Sequence, residues 1–499
     1  MSSLYSINYH LRAHKRDTFI EFIKSLLLTP FVLNTRPGAD DDFADPAASA
    51  DSLMDADAPA AGAVSPSVAR YLEVLGCIED LIQDHILHSD NGSRATSYSV
   101  LMEARPDSGV PELSRLSSLV PSIGRFFTSL PLRTAFLEQN AARSIAGRRS
   151  VPPSFNDIRH ILNFAQIRAI APTLKLITFD GDMTLYADGA DFARDSQLVQ
   201  LLLSLLRARI HVAIVTAAGY GSDPTRYEGR LSGLLEGFRV SDLDNDSLSQ
   251  FYVLGGNYLF RYDPRTHHLV YIPEETYQTE SVRRWSTATS RIKKILDVAE
   301  SHLTKRAREM HLTHRITILR KDRAVGVYCK PGEKLTREQL DELALSTQQR
   351  IHHMQHLQLH ENLQRSGLLP TEVASGASTP ILGKRLSVTA VTGAAAAPVE
   401  LPIPFCAFNG GSDVWVDIGN KLIGVGMLQE MLGCAGRETL HVGDQFLSTG
   451  NDIATRRACC TTWITSPEET AQVLTQLTDL LRKRPAVDGP DRRPLGAGK

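Results

Sequence analysis

Short apolar runs alternate along the chain with longer segments whose apolar residues recur at helical spacing. The short runs are bounded by polar or turn residues, which is typical of buried strands. Strands are predicted at residues 174–179, 211–216 and 315–320, and a hairpin with a Gly-Gly turn at 251–260. Helices are predicted within residues 9–34, 67–166, 196–207 and 292–303. This alternation favours an α/β fold with a parallel sheet.

The same pattern divides the chain into a helical beginning, a mixed core and an inserted domain. We expect an N-terminal helical segment at 1–35, a helical domain at 67–170, the first part of the core at 171–272, an inserted α+β domain at 273–402 and the second part of the core at 403–482. Because the helical domain carries no obvious catalytic motif, a regulatory or assembly role suits it.

Three segments contain too few bulky apolar residues to offset the entropy of ordering. They are an acidic and alanine-rich stretch at 36–66, an irregular stretch at 366–400, and a Pro/Arg/Gly-rich tail at 483–499. We expect the first two to be flexible insertions and the third a disordered tail.

Composition excludes several broad classes of function. The chain has 499 residues, 42% of them hydrophobic and 22% charged, as in globular proteins with a sizeable core. A formal net charge of −2 argues against a protein that coats nucleic acid. The six cysteines have no metal-ligand spacing. We find neither a signal peptide nor a run long enough to cross a bilayer, so we expect a cytoplasmic protein without a membrane partner.

Two carboxylates, Asp180 and Asp182, follow the apolar strand at 174–179. Strand ends in open α/β sheets face the ligand crevice, so both side chains are predicted to lie there. Phosphoryl transfer from a monoester needs a nucleophile and an acid, and two carboxylates can divide those roles. We assign Asp180 as the nucleophile and Asp182 as the acid and then the base. The alternative is an ordinary Asp-Gly turn.

Three later segments support the catalytic interpretation. Thr216 ends a strand, Lys421 supplies a cation, and Asp444 in His-Val-Gly-Asp can complete an oxygen-ligand site for Mg²⁺. In this order the four segments resemble the motifs of haloacid-dehalogenase-type phosphohydrolases. The resemblance implies a Rossmann-like core with a parallel sheet. It also makes the inserted domain a cap, because the long interval lies between the second and third motifs.

Longer stretches resemble the IMP-specific 5′-nucleotidases of fungi and protozoa. The matching stretches are 9–17, 153–160, 179–189, 216–220, 257–260, 405–411 and 441–446. The resemblance implies Mg²⁺-dependent hydrolysis of IMP to inosine and phosphate. It also implies a homotetramer that is activated by ATP bound away from the catalytic site.

Together, these observations assign a role to each candidate residue. Asp180, the backbone carbonyl of Asp182, and Asp444 hold Mg²⁺. Thr216 and Lys421 orient the phosphoryl group, and Asp182 also lies at the substrate. Asp188 contacts the ribose or the base, with a loop turn as the alternative.

Several polar residues are left with two interpretations. His160 and Asn163, next to Arg159, are candidates for binding the ATP effector, and the alternative is a helix face that docks on the core. Arg226 or Arg230 could reach phosphate from the loop above the site, but either could equally be a surface arginine, so neither is assigned a role. One basic residue of 320–323 is a candidate for contact with the nucleotide, the alternative being a solvated hairpin tip.

Asn451 and Asp452 are candidates for supporting the metal through its waters. Histidines 352, 356 and 360 stand four residues apart, which raises a zinc site, but 356–360 alternates like a strand and argues against it.

Two rival functions remain open at the level of sequence. One is a sugar-phosphate phosphatase or phosphomutase of the same superfamily, because the motifs do not identify the leaving group. The other is a nucleotide-sensing scaffold that has lost turnover, against which the joint presence of Asp180, Asp182, Lys421 and Asp444 argues.

Overall fold

The fold is described from a computed structural model. It describes residues 17–35, 65–91, 114–217, 219–256, 258–365 and 401–483. Nearly all of the expected flexible segment at 36–66, the whole of 366–400, and the tail beyond residue 483 lie outside this description, as do residues 9–16 of the first predicted helix.

Helices dominate the N-terminal part, as the apolar spacing predicts. They are α1 (Thr18–Thr35), α2 (Pro66–Asn91), α3 (Arg115–Leu119), α4 (Leu132–Arg143) and α5 (Phe155–Ile170). Their apolar faces share one core with Phe446 and Trp463, which come from the far end of the chain. The helical part is therefore packed directly on the rest of the molecule.

A capping box fixes the start of α5. The Ser154 hydroxyl accepts from the backbone N–H of Asp157, and the Asp157 carboxylate accepts from that of Ser154. Arg148 pairs with the same carboxylate at 2.7 Å. These contacts set where the polar side chains of α5 meet the core.

The main sheet has seven strands in the order β11-β10-β1-β2-β3-β4-β5. Its strands are β1 (Leu176–Phe179), β2 (His211–Thr216), β3 (Phe251–Gly255), β4 (Tyr258–Asp263), β5 (His268–Ile272), β10 (Thr439–Gly443) and β11 (Cys460–Trp463). The run from β11 to β3 is parallel, and the last two strands are antiparallel. The predicted α/β class and the hairpin at 251–260 are confirmed.

Helices cover the main sheet and connect its strands. They are α6 (Gln197–Arg207), α7 (Thr225–Arg230), α8 (Ser232–Arg239), α9 (Asn245–Leu248), α10 (Glu274–Tyr277), α11 (Glu280–Ser286), α14 (Lys421–Leu432) and α15 (Pro467–Arg482). Two short 3₁₀ turns, Gly436–Glu438 and Ile453–Arg457, flank β10 and β11.

A second, antiparallel sheet has the order β6-β7-β9-β8. It consists of β6 (Ile316–Arg320), β7 (Ala324–Cys329), β8 (Phe405–Asn409) and β9 (Asp413–Ile418), covered by α12 (Thr289–Glu309) and α13 (Arg337–Arg365). The inserted domain was expected to end at residue 402, but β9 pairs with β7 and β8 pairs with β9, which extends the domain to Ile418. Apolar alternation shows that 405–418 forms strands but not which sheet they join.

The second sheet joins the main one through a very short link. β9 ends at Ile418 and α14 begins at Lys421, so that Gly419 and Asn420 alone separate them. Gly419 has φ 91, in the left-handed region that favours glycine, and its N–H donates to the Pro404 carbonyl at 2.8 Å. The Asn420 side chain caps α14 by accepting from the N–H of Ile423.

The alternation at 356–360 predicted a strand, and this prediction was wrong: those residues lie inside the long helix α13. Five alternating residues are too few to outweigh the helical segment around them. His356 and His360 are exposed on it. Within the described ranges, no histidine belongs to a group of three side chains placed to hold a metal ion.

None of the described helices combines the length and the apolar character needed to cross a bilayer.

Candidate active site

A cavity of about 920 Å³ separates the carboxyl ends of the main-sheet strands from the second sheet. Asp180, Lys421 and Asp452 form what we call the floor, on the side of the main sheet. Lys321, Asp413, Trp415 and Asp417 form what we call the roof, on the second sheet. The parallel strands thus place their ends where the sequence predicts the ligand crevice.

The three charged groups of the floor are buried together. Lys421 Nζ lies 2.7 Å from Asp180 Oδ1 and 2.6 Å from Asp452 Oδ1. Asp180 Oδ1 also accepts the backbone N–H of Gly181 at 2.8 Å. Among the described residues, Asp180 Oδ2 receives no hydrogen bond. One oxygen of the predicted nucleophile is therefore anchored and the other is left for chemistry.

Burial and charge act in opposite directions on these groups. Burial raises the pKa of Asp180 to about 6, although Lys421 acts to lower it. Burial would lower the pKa of Lys421, but the two neighbouring carboxylates outweigh it and hold the ammonium in its charged form. Burial would likewise raise the pKa of Asp452, but Lys421 and then His441 hold it well below its usual range.

Asp452 has a full set of hydrogen-bond donors. Besides Lys421, its Oδ1 accepts from His441 Nε2 at 3.0 Å, and its Oδ2 accepts the backbone N–H of Gln445 at 2.9 Å. A Cβ at Gly443 would overlap the Asp452 carboxylate, so glycine is needed there for the close approach. The sequence suggested that Asp452 supports a metal; in the structure Asp452 anchors Lys421 and also belongs to an acidic group with Asp180 and Asp444.

Asp444 completes an oxygen-rich pocket beside the floor. One carboxylate oxygen each from Asp180, Asp444 and Asp452 lies within 4.8 Å of the others. Asp444 Oδ1 and Asn451 Oδ1 are buried and have no hydrogen-bond partner within the described part of the chain. Burial, and then Asp180 and Asp452, raise the pKa of Asp444 well above its usual range.

Buried, unpartnered oxygens of this kind fit a hard divalent cation, because such ions bind oxygen ligands of carboxylates and amides. Since the donors of Asp452 are already in place, Asp180 and Asp444 are the side chains best suited to hold it.

Asp182 lies one residue past Gly181 and turns towards a residue that received no role from the sequence. Arg230 Nη2 lies 2.6 Å from Asp182 Oδ1, which also accepts the N–H of Gly189 at 3.2 Å. The guanidinium stacks on Tyr186, 5.0 Å from the ring centroid. Arg230 is thus a site residue that the sequence missed, since a Gly/Pro/Tyr-rich loop has no pattern that marks one arginine.

Thr216 and Asp188 also line the cavity, as predicted. Thr216 ends β2, the strand directly beside β1 in the sheet. Asp188 lies in the exposed loop that follows Asp182. The structure therefore brings Asp180, Asp182, Asp188, Thr216 and Lys421 to one cavity, with Asp444 beside Asp180.

The roof carries a cation, an indole and two carboxylates. Lys321 Nζ lies 4.3 Å from the ring centroid of Trp415, and Trp415 Nε1 donates to Asp413 Oδ2 at 2.9 Å. Burial raises the pKa of Asp417 to about 7, which Lys321 partly counteracts. Arg323, next to the roof, donates to the Ser286 carbonyl, and its buried Nη1 has no partner.

The two candidate effector residues do not line this cavity; they lie at the contact of α5 with the core. Asn163 exchanges two hydrogen bonds with the backbone of Trp463, at 2.7 and 2.9 Å. His160 Nε2 lies 3.4 Å from Glu469, which also pairs with Arg159. Burial and Arg159 lower the pKa of His160 to about 4. The partners of Asn163 and Arg159 agree with the docking alternative.

Comparisons with known proteins agree with the motifs. The family profile of IMP-specific 5′-nucleotidases matches residues 1–474. IMP-specific 5′-nucleotidase 1 of Yarrowia lipolytica is 39% identical over 490 residues, which is 96% of this chain and 98% of the relative. The Saccharomyces cerevisiae protein of the same name is 36% identical over 514 residues, covering 96% of this chain and all of the relative.

Solved structures show the same relationship. An IMP-bound, N-terminally truncated Plasmodium falciparum IMP-nucleotidase is 28% identical, has a TM-score of 0.67, and covers 96% of this chain and 100% of its own. The ATP-bound form is 28% identical with a TM-score of 0.62, covering 94% and 86%. The resemblance predicted from the motifs is therefore confirmed, and the chain belongs to the IMP-specific 5′-nucleotidase family.

Proposed function

We propose that this protein is a Mg²⁺-dependent 5′-nucleotidase that hydrolyses IMP to inosine and phosphate. The observation that carries the proposal is a buried carboxylate, Asp180, with one oxygen held by Lys421 and the other left open in a cavity beside Asp444. This arrangement suits attack on a phosphoryl group. The substrate follows from the family and from the IMP-bound relative.

In the first step, Asp180 Oδ2 attacks the phosphorus of the 5′-phosphate. The new O–P bond forms as the bond to the ribose 5′-oxygen breaks, and Asp182 gives that oxygen its proton. Lys421 and Thr216 bind the phosphoryl oxygens and offset their charge. The product of this step is an aspartyl phosphate and free inosine.

In the second step, Asp182 accepts a proton from water, whose oxygen attacks the aspartyl phosphate. This attack breaks the bond between Asp180 and phosphorus, which frees the Asp180 carboxylate and inorganic phosphate. Asp182 is then protonated again for the next cycle. Because Arg230 holds Asp182 Oδ1, we propose that Arg230 sets the carboxylate's orientation between the two steps.

Asp180, the Asp182 carbonyl and Asp444 would hold Mg²⁺. When bound, the ion offsets negative charge on the phosphoryl oxygens. The chain's own contribution is to keep these oxygens buried and pointed at the reacting group.

We propose that the second sheet, which a haloacid-dehalogenase-type enzyme would use as its cap, selects the nucleoside. The indole of Trp415 offers a flat apolar surface for a purine, and Lys321 and the two roof carboxylates offer donors and acceptors. A closed cap also keeps bulk water from the aspartyl phosphate.

The experiment compares phosphate and nucleoside release from IMP, AMP, GMP and hexose phosphates at equal concentration with Mg²⁺. We expect the highest kcat/KM for IMP, with inosine formed in equal amount to phosphate. A preference for a hexose phosphate would establish the sugar-phosphatase alternative. Binding of IMP without turnover would establish the scaffold alternative.

We also propose that ATP activates the enzyme from a site on the helical part, that the enzyme is a cytoplasmic homotetramer, and that His160 contributes to the effector site. Support comes from the ATP-bound relative and from the position of His160 outside the cavity. Titrating ATP against IMP turnover should show activation in the full chain and a weaker response in His160→Ala. His88→Ala is the matched control, and an equal response in both variants would remove His160 from the effector site. Sedimentation should give the mass of four chains.

A further inference from the structure

His441 is a polar residue in the middle of a strand whose five residues are all buried. Its side chain is fully buried, and both ring nitrogens have partners: Nε2 lies 3.0 Å from Asp452 Oδ1, and Nδ1 lies 2.8 Å from Thr178 Oγ1. A buried imidazole without partners would be costly, so this placement depends on both contacts.

The contacts determine where the ring proton lies. Asp452 accepts hydrogen bonds from Lys421 and from the Gln445 backbone N–H, and as a carboxylate it has no proton of its own to donate. The hydrogen between Asp452 and His441 therefore belongs to Nε2. In a neutral ring Nδ1 is then an acceptor, and the Thr178 hydroxyl donates to it.

These contacts close a ring of side chains around the nucleophile. Thr178 and Asp180 are two residues apart on β1 and its end, so their side chains share one face. From Asp180 the contacts run to Lys421, Asp452 and His441, and return to β1 at Thr178. Thr178 and His441 are also paired residues of neighbouring strands. The position of Lys421 therefore depends on contacts that lead back to β1, the strand that carries Asp180.

We propose that His441, as its Nε2–H tautomer, is a positioning residue: it fixes the Asp452 carboxylate and, through it, the Lys421 ammonium beside Asp180. The inference rests on the proposed role of Asp180 as nucleophile. Asp452 has two oxygens and can rotate, and the two donors besides Lys421 stop that rotation. Without the His441 contact, Lys421 would keep its charge but lose its fixed place.

A matched pair of variants tests the proposal. In His441→Gln the amide nitrogen reaches about as far as Nε2 and can still donate to Asp452. In His441→Asn the amide ends near the level of Nδ1 and cannot reach it. We expect kcat for IMP to fall about 10–100-fold in His441→Asn, the usual cost of losing a supporting hydrogen bond, and clearly less in His441→Gln. KM should change little in both.

Equal kcat values in folded His441→Gln and His441→Asn would overturn the proposal. A loss of kcat that is proportional to the fall in thermal unfolding midpoint in both variants would also overturn it. If the His441 variants do not fold, Thr178→Val and Thr178→Ser decide instead. Serine keeps the hydroxyl and valine keeps the shape, so a lower kcat in the valine variant than in the serine variant is expected. Equal values in this pair would contradict the ring.

Nitrogen NMR of the histidine-labelled full chain, without substrate, gives a readout that does not depend on turnover. The resonance pair lost in His441→Gln identifies His441, and we expect a proton on Nε2, the nitrogen that faces Asp452. An Nε2 without a proton would overturn the proposal. A failure of the proposed function itself would differ, because wild type would then release no inosine from IMP, or Asp180→Asn would retain turnover, whatever the state of His441.

Discussion

The floor and the roof of the cavity are held by different kinds of contact. On the floor, Lys421 touches two carboxylates at 2.6 and 2.7 Å, and all three side chains are less than 10% exposed. On the roof, Lys321 is exposed and rests on the face of Trp415, which holds one carboxylate through its indole N–H. The floor is thus arranged before substrate arrives, whereas the roof keeps groups that substrate can engage. Changes to the floor should alter chemistry and folding, and changes to the roof should alter binding.

The largest effect is expected from removing the nucleophile. Asp180→Asn keeps the shape of the floor but removes the attacking oxygen, so turnover of IMP should fall by about 10⁴-fold or more. Rapid quenching with labelled IMP should trap label on wild-type protein and none on the variant. Asp246→Asn, an exposed carboxylate on α9 outside the cavity lining, is the matched control and should stay active. Turnover in Asp180→Asn would reject the nucleophile.

Removing the floor's cation should damage both activity and stability. Lys421→Met leaves two buried carboxylates without their shared partner, which costs about 3–5 kcal/mol of the free energy of unfolding. Adding Asp452→Asn should recover part of that stability but none of the activity. Thermal and denaturant unfolding beside IMP assays separate the two effects. Unchanged stability in Lys421→Met would show that the floor is not arranged in advance.

A roof substitution should act on binding instead. Lys321→Ala is expected to raise KM for IMP about 5–10-fold with a smaller change in kcat, while the exposed site should keep stability within about 0.5 kcal/mol. Lys330→Ala, exposed on the same sheet and outside the cavity lining, is the control. If Lys321→Ala lowered kcat as strongly as a floor variant, the division between floor and roof would fail.

The smallest effect concerns the pH dependence of stability. The pKa of Asp417 is raised to about 7 in the folded protein, from about 3.8, because it is buried. The folded state therefore holds a proton that the unfolded state has lost, so stability should decline between about pH 4 and pH 7 and then level off. Lys321, Asp413 and Lys421 face the same carboxyl and are unchanged in the test.

Asp417→Asn removes the carboxyl group that binds this proton. Between pH 5 and pH 8 the denaturant midpoint of the variant should therefore fall less than that of wild type. Asp322→Asn, exposed in the β6–β7 turn, should behave like wild type. A parallel decline in Asp417→Asn would assign the slope to other groups.

The sequence predicts most of the carboxylates of the site, because strand periodicity places Asp180 and Asp444 at strand ends. The role of His441 was missed, although its signal is present: a histidine stands inside an apolar strand, and a threonine occupies the middle of the neighbouring one. A polar residue at a buried position needs a hydrogen-bond partner, but the periodicity of the sequence does not show which strands are adjacent.

The errors elsewhere have related causes. Arg230 acquires its partner Asp182 across 48 positions of sequence, which local patterns do not encode. The end of the inserted domain was misplaced because strand content does not reveal sheet membership. The alternation at 356–360 was overridden by the helix around it. Local residue patterns identify elements and their ends, whereas contacts between distant segments set the remaining geometry.

The two-residue link at Gly419 and Asn420 has a mechanical consequence. It ties the last strand of the roof to the first residue of the helix that carries Lys421, and Gly419 supplies the flexible torsion between them. At this connection a tilt of the second sheet would act first on the torsions of Gly419, while the capped start of α14 holds Lys421 in place. A second sheet that closes on a nucleotide, as proposed above, could therefore move at this connection without displacing the buried charges of the floor.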